Sequence, residues 1–291
     1  MRPIVRRSSG VNGVLLGCAC VMLALSSGAG VTTNLFDNFS DGNRTSGTTW
    51  HFLAPTAAVG AGAAVNSGSL KVDVGTPKNT TTLVTYLTPA ASPLTLAATG
   101  DKITLTFDAT LGSVYSAAGA IDFGFYNSAN KRTTGDLTTS GTSSFTNWSG
   151  YAVLGRVGNV GASTFVVGDR AVNGSTSIFA TGSYASLATP ATAGNSQTNG
   201  GSYSYTLSIE RTATGVLLSG NLGGNAFSVA DNTTPFYSFD TLVLGSTAGI
   251  NDGSYYTLDN IMVTSIPEPA TIGMLGLGAM ITVLFRRKFL A

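Results

Sequence analysis

The chain has 291 residues, of which 15 are Lys or Arg and 14 Asp or Glu, so charged residues make up 10% against about 25% in ordinary soluble domains. The acids are 12 Asp and 2 Glu, there is a single His, and both cysteines fall within the first 20 residues. That inventory excludes a zinc site, a disulfide framework, a cysteine nucleophile and a strongly basic nucleic-acid surface.

At the N-terminus, Arg2, Arg6 and Arg7 precede a mostly apolar run from Val14 to Leu25, and Ser27-Gly28-Ala29 then places small residues at the −3 and −1 positions of a cleavage site. These are the three parts of a secretory signal peptide, residues 1–29, with cleavage between Ala29 and Gly30 by signal peptidase after passage through the general secretion machinery. Leu15-Leu16-Gly17-Cys18 matches the loose lipoprotein pattern, but the apolar run before Cys18 is short and continues past it. Cleavage after Ala29 removes Cys18 and Cys20, so the mature protein has no disulfide in an oxidising compartment. Its stability then rests on buried apolar area, which a domain of roughly 235 residues supplies by hiding about 70 to 75% of its unfolded surface.

From residue 30 to residue 265 the signal is period two, without a long stretch of 3.6-residue periodicity. An opening segment, Leu35-Phe36-Asp37-Asn38-Phe39-Ser40-Asp41-Gly42, is followed by Ala54 to Gly68, which is rich in Ala and Gly and reads as a long surface loop. A strand is expected near Leu83 to Leu87. Ile103, Leu105 and Phe107 alternate with Thr104, Thr106 and Asp108, and Ile121, Phe123 and Phe125 alternate with Asp122, Gly124 and Tyr126. Both segments read as half-buried antiparallel strands with one wet face. Strands near Tyr151 to Val157 and Thr164 to Val167 precede a second expected surface loop, Ala188 to Gly201. Tyr203, Tyr205, Leu207 and Ile209 alternate with Ser and Thr, and Thr212-Ala213-Thr214-Gly215 then turns the chain into Val216 to Ser219, a hairpin. The last strands are expected near Ala226 to Val229, Phe239 to Leu244 and Tyr255 to Val263, with Asn251-Asp252-Gly253 as a tight hairpin turn between the final two. Nine or more short strands with Gly/Asn/Asp-rich loops predict an all-β antiparallel sandwich or jelly roll, as one domain.

The tail reads Ile266-Pro267-Glu268-Pro269, then an uncharged segment, then Arg286-Arg287-Lys288. Residues 270–285 would span about 24 Å as a helix, short of the ~30 Å hydrocarbon core but extended by snorkelling of the flanking cations. The fold class is therefore a β-sandwich flanked by an N-terminal signal helix and a C-terminal transmembrane helix. The basic stop belongs on the cytoplasmic side, which puts the body outside the inner membrane. Between Val31 and Ile266, nine basic residues face thirteen acidic ones, a net of −4, so the body has no reason to seek nucleic acid.

The ordered triplet, span and basic cluster of residues 266–291 resemble the PEP-CTERM sorting signal. That resemblance implies recognition of Pro267, Glu268 and Pro269 by an exosortase-type transpeptidase in a Gram-negative host that makes exopolysaccharide. It further implies removal of the tail and delivery from an inner-membrane intermediate to the cell surface or extracellular matrix; a plain membrane anchor is the alternative. A second resemblance rests on residues 35–42, the hairpin from Tyr205 to Gly223, and Tyr256-Thr257-Leu258-Asp259-Asn260-Ile261-Met262-Val263. These look like the first, late and last strands of concanavalin A-like (laminin-G-like) jelly rolls, in which the first and last strands lie side by side.

Catalytic raw material is thin. Glycosidases of this architecture use paired carboxylates, whereas this body has the single Glu210 and no strand with two closely spaced acids. His51 is the sole histidine, and no Gly-x-Ser-x-Gly elbow is present. No cofactor is expected. Calcium is the one ion the oxygen-rich composition suits, with Asp37, Asp41 and Asp259 as ligands if the first and last strands pair. The candidate rings for stacking a glycan are Trp50, Trp148, Tyr151 and Tyr184, which lie in or beside polar segments. The reading is an exported, non-catalytic surface or matrix protein associated with exopolysaccharide, with a lectin-like carbohydrate-binding module as the alternative and a glycoside hydrolase as a more distant one.

Overall fold

The computed structural model describes residues 30–56, 59–77, 80–112, 120–155, 165–171, 174–188, 197–247 and 253–267. The expected signal peptide with Ala29, the expected membrane span, Glu268, Pro269, Arg286, Arg287 and Lys288 lie outside the described residues. Among the described residues, no helix is long and apolar enough to cross a membrane.

In chain order the strands are β1 (Thr32–Asp37), β2 (His51–Leu53), β3 (Gly62–Asn66), β4 (Ser69–Asp73), β5 (Thr81–Tyr86) and β6 (Leu94–Thr95). They continue as β7 (Lys102–Leu111), β8 (Ala120–Asn127), β9 (Ser149–Leu154), β10 (Val166–Arg170), β11 (Ala185–Ala188) and β12 (Ser202–Arg211). The last are β13 (Val216–Leu222), β14 (Asn225–Asp231), β15 (Ser238–Phe239), β16 (Thr241–Thr247) and β17 (Tyr255–Ile266). An eight-stranded sheet runs β14-β13-β12-β7-β17-β4-β3 with β1 beside β17, and a seven-stranded sheet runs β11-β10-β9-β8-β16-β5-β2. The two-stranded β15-β6 ladder stands apart. Every strand ladder is antiparallel, so the all-β sandwich expected from the sequence is the fold.

β7 shows why. Ile103, Leu105, Phe107, Ala109 and Leu111 are buried while the residues between them are half-exposed, because successive side chains in a strand point to opposite faces. Across the core, Phe107 stacks on Tyr205 of its own sheet at 4.9 Å and meets Phe123 of the other sheet edge-on at 5.2 Å. The hairpin at 212–215 forms as expected: Arg211 is paired with Val216, and Thr212 N–H donates to the Gly215 carbonyl at 2.8 Å. The first and last strands also pair, Leu35 with Val263 and Asp37 with Ile261. Within β17 a bulge with Asn260 at φ 50° puts Asp259 and Asn260 together on the wet side. Tyr256 and Leu258 before the bulge, and Ile261 and Val263 after it, all therefore reach the core.

Four expectations are corrected. Ala54 to Gly68 is no simple loop: it contains β3, which needs no large side chains because it is an edge strand, and Ser67-Gly68, both at positive φ, turn it into β4. The second expected loop, Ala188 to Gly201, starts at the last residue of edge strand β11, and although residues 189–196 lie outside the described residues, Gln197 is no surface residue: it is buried and accepts the Tyr205 hydroxyl at 2.6 Å. β16 and β17 belong to different sheets, so they form no hairpin with each other; Asn251 and Asp252 of the expected turn lie outside the described residues. Finally, β8 has no wet face: Asp122, Gly124 and Tyr126 are buried as completely as Ile121, Phe123 and Phe125. The outer side of the seven-stranded sheet carries a second core in which Leu53, Val84, Tyr126, Ala152, Leu154 and Val243 pack beneath Phe145, Trp148, Ile178 and Phe179.

Candidate functional site

The described residues nearest the two expected processing points meet at one end of the β1–β17 ladder. β17 ends at Ile266, and Pro267 is exposed immediately after it. β1 begins at Thr32, two residues after exposed Gly30, and Thr32 is paired with Ser265. The Asn34 side-chain amide adds a cross-strand bond to the Ser265 hydroxyl at 2.9 Å. Antiparallel pairing of the first and last strands thus brings the mature N-terminus expected from the signal junction beside the first residue of the Pro-Glu-Pro triplet. No stretch of irregular chain separates the folded sheet from Pro267.

Trp148 and Tyr184 share the second core through Tyr126, Trp50 and Tyr151 lie in the main core, and three of the four present no ring to solvent. Trp50 is fully buried, with its indole N–H donated to Asp37 Oδ2 at 2.9 Å. Trp148 is fully buried against Phe145 and Tyr126, its indole N–H donated to the Lys131 carbonyl at 2.6 Å. Tyr151 is fully buried, its hydroxyl donating to Asp231 Oδ2 at 2.7 Å and accepting the Phe236 N–H at 2.8 Å. Tyr184 is half-buried with its hydroxyl turned inward, donating to the Ile178 carbonyl and sharing a 2.6 Å hydrogen bond with Tyr126. The expectation of a stacking platform on Trp50, Trp148 and Tyr151 is corrected accordingly: large amphipathic rings next to polar sequence found partners for their N–H and O–H groups inside the fold.

Pairing of the first and last strands brings the three expected calcium ligands close enough for the Asp41 and Asp259 charges to act on Asp37, and each also accepts a hydrogen bond. Asp37 accepts from the Phe39 amide at 3.0 Å as well as from Trp50, and burial raises its carboxyl above the usual 3.8. Asp41 accepts the Asn43 N–H at 2.9 Å, and Asp259 the Asn260 N–H at 2.7 Å, the side-chain-to-backbone bonds typical of turns. Among the described residues no group of three or more His, Cys, Asp or Glu side chains is gathered as a metal centre. Glu210 is paired with Lys102 at 2.6 Å. His51 lies 5.9 Å from the Tyr86 ring, and burial lowers its pKa from 6.5.

One feature that the sequence did not reveal is the outer face of the eight-stranded sheet. Strand register aligns Thr264, Thr104, Ser208, Ser219 and Ser228 in a single row across β17, β7, β12, β13 and β14. Thr106 and Thr206 stand opposite each other in the next row, and Thr110 and Ser202 in another. Hydroxyls along these rows bond to one another, Thr104 to Ser208 at 2.9 Å and Thr110 to Ser202 at 2.6 Å. The flanking charges neutralise themselves, Lys102 with Glu210 and Lys71 with Asp73 at 2.7 Å. The alternation of Ser and Thr in β7 and β12 was legible; their alignment with β13, β14 and β17 depends on register. Chemically the face offers hydroxyl donors and acceptors in a regular array, interrupted by one acidic row in which Asp108 and Asp259 stand opposite each other and enter none of the ion pairs formed by described residues.

No curated protein matches the chain by sequence. Solved structures with a similar course of the chain include the carbohydrate recognition domain of Emp46p in its potassium-bound form, at 15% identity and TM-score 0.45, over 74% of this chain and 87% of that one. Lectin UEA-II complexed with galactose aligns at 13% identity and TM-score 0.45, over 81% and 98%. A carbohydrate esterase from the Shiga toxin-encoding bacteriophage phi24B aligns at 12% identity and TM-score 0.44, over 82% and 100%. The tail is matched at a different level, by a family model whose span begins at the end of β17 and covers the Pro-Glu-Pro triplet and the basic cluster: at residues 265–288 the chain carries the PEP-CTERM protein-sorting motif.

Proposed function

We propose that the protein is an exported bacterial surface or matrix protein without turnover chemistry, delivered by exosortase-type processing at its C-terminus and associated with exopolysaccharide. The observation that carries this reading is the sorting motif at residues 265–288, joined directly to the last strand of a folded sandwich. Signal peptidase acts between Ala29 and Gly30, the inner membrane holds the intermediate through residues 270–285 with Arg286, Arg287 and Lys288 as the stop, and the transpeptidase reads Pro267, Glu268 and Pro269. The neutral hydroxyl rows centred on Thr104, Thr106 and Ser208 are the surface on which a polysaccharide chain would be hydrogen-bonded, since sugar hydroxyls and side-chain hydroxyls exchange donors and acceptors without a charge penalty.

The decisive experiment is the intact mass and C-terminal residue of the protein recovered from its host's surface and medium. Loss of everything beyond the Pro267-Glu268-Pro269 region supports sorting; retention of Arg286 to Ala291 means a membrane anchor and removes the sorting step. Co-sedimentation with the host's exopolysaccharide tests the second part. Binding to bulk polymer that short oligosaccharides do not compete away supports a matrix role, whereas competition by one oligosaccharide favours the lectin-like alternative.

A further inference from the structure

Near one rim of the sandwich, two carboxylates from opposite sheets are buried without a cation partner among the described residues. Asp169, on β10 of the seven-stranded sheet, is 6% exposed, and Asp231, at the end of β14 in the eight-stranded sheet, is 1% exposed. Thr234 ties them together: its N–H donates to Asp231 Oδ1 at 3.2 Å and its hydroxyl to Asp169 Oδ2 at 3.3 Å. Asp231 Oδ1 also takes the Thr233 N–H at 3.0 Å, and Oδ2 takes the Tyr151 hydroxyl. Asp169 Oδ1, by contrast, is buried with no hydrogen-bond partner among the described residues.

The cations nearest in the chain and on the neighbouring strands are committed elsewhere. Arg170 follows Asp169 on β10 and so points to the opposite face, where it donates to the Phe145 and Ser175 carbonyls. Arg211 donates to the Leu96 and Ala97 carbonyls and lies 4.5 Å from the Tyr237 ring centre. None of the ion pairs formed by described residues includes Asp169 or Asp231. Buried carboxylates are ordinarily paired or coordinated to a metal. An oxygen-only set with two carboxylates and a hydroxyl suits a hard cation, and the absence of His or Cys argues against a transition metal.

We propose that Asp169, Asp231 and the Thr234 hydroxyl bind one calcium ion that staples the two sheets together. The ion occupies the role a disulfide would otherwise fill in a body that has no cysteine. Extracellular modules that use calcium in this way bind it with dissociation constants of about 10⁻⁴ to 10⁻³ M, which suits a structural ion outside the cell.

The test uses the full chain in detergent, unfolded thermally in EDTA, in calcium chloride and in magnesium chloride. Calcium at about 10 mM should raise the midpoint by roughly 5 °C, and magnesium should not. Asp169→Asn should abolish the calcium shift while keeping an acceptor for Thr234; it is the decisive variant because Asp231→Asn also disturbs the turn that Asp231 caps. Terbium bound in place of calcium should luminesce on tyrosine excitation, and Tyr151→Phe should cut that emission several-fold while the calcium shift persists. A midpoint indifferent to calcium overturns the proposal. So does a calcium shift that survives in Asp169→Asn, which would place the ion elsewhere, or an equal response to magnesium.

Discussion

The two sheets of the sandwich solve the same problem with different surroundings. In the eight-stranded sheet, β7 and β12 bury one face and leave a hydroxylated face to solvent, and their sequences alternate cleanly. In the seven-stranded sheet, β8 and β16 are buried on both faces, because Phe145, Trp148, Ile178 and Phe179 from the connecting segments lie over the outer side. Burial on both sides accounts for Gly124 and Gly245 within these strands. A Cβ at Gly124 would strike the Tyr151 carbonyl and the Ala152 backbone of β9, and one at Gly245 would strike the Thr81 carbonyl and the Phe179 ring of the covering layer. One sheet is thus available to a partner and the other is walled off, which directs the search for a glycan contact to the eight-stranded sheet.

The covering layer can be broken most severely at Trp148. Trp148→Ala should cost about 3 to 5 kcal/mol by denaturant unfolding if the layer is a true second core, and a loss below about 1 kcal/mol would reduce it to a loosely attached loop. On the other sheet, Asn260→Val forces a β-branched residue into the left-handed region of the β17 bulge and removes the 3.0 Å bond from the Asn260 amide to Asp108. A destabilisation of about 1 to 2 kcal/mol is expected, whereas Asn260→Gly should recover part of it.

Asp122 sharpens the contrast through pH. It is buried in the walled-off sheet, accepts the Gly155 N–H at 3.0 Å, and burial holds its carboxyl well above the ordinary 3.8. The folded state therefore disfavours the ionised form, so stability should decline as pH rises above 3.8 and level off past the folded value. Asp122→Asn keeps an oxygen for Gly155 and should remove that decline, read as the difference between stability profiles of the two proteins from acid to neutral pH. The smallest effect belongs to the wet face. Thr106→Val should stay within about 0.5 kcal/mol, while weakening co-sedimentation with exopolysaccharide if the hydroxyl rows are the contact; unchanged binding would place the contact elsewhere.

How much could be read beforehand differed between the sheets for a physical reason. In β7, with one face in water, polar and apolar residues alternate, and both the strand and its buried set are visible locally. In β8, Asp122 and Tyr126 looked like a wet face because polar residues usually are, yet the layer that covers them comes from segments distant in the chain. The same holds for Trp50, Trp148 and Tyr151. Their polar neighbours suggested exposure, but each ring was closed off by partners such as Asp37, Lys131 and Asp231 that only folding brings within hydrogen-bond range.

What the sequence determined by itself was the sorting motif and the fold class. The Pro-Glu-Pro triplet with its basic end, the period-two alternation and the Thr212-Gly215 turn are all encoded in residues close together in the chain. What the tertiary structure alone decided was which side chains face water, which hydroxyls align across β17, β7, β12, β13 and β14, and that Asp169 and Asp231 meet across the rim. Those are consequences of pairing between strands far apart in sequence, where register and the covering of a face are set by long-range burial that no local pattern records.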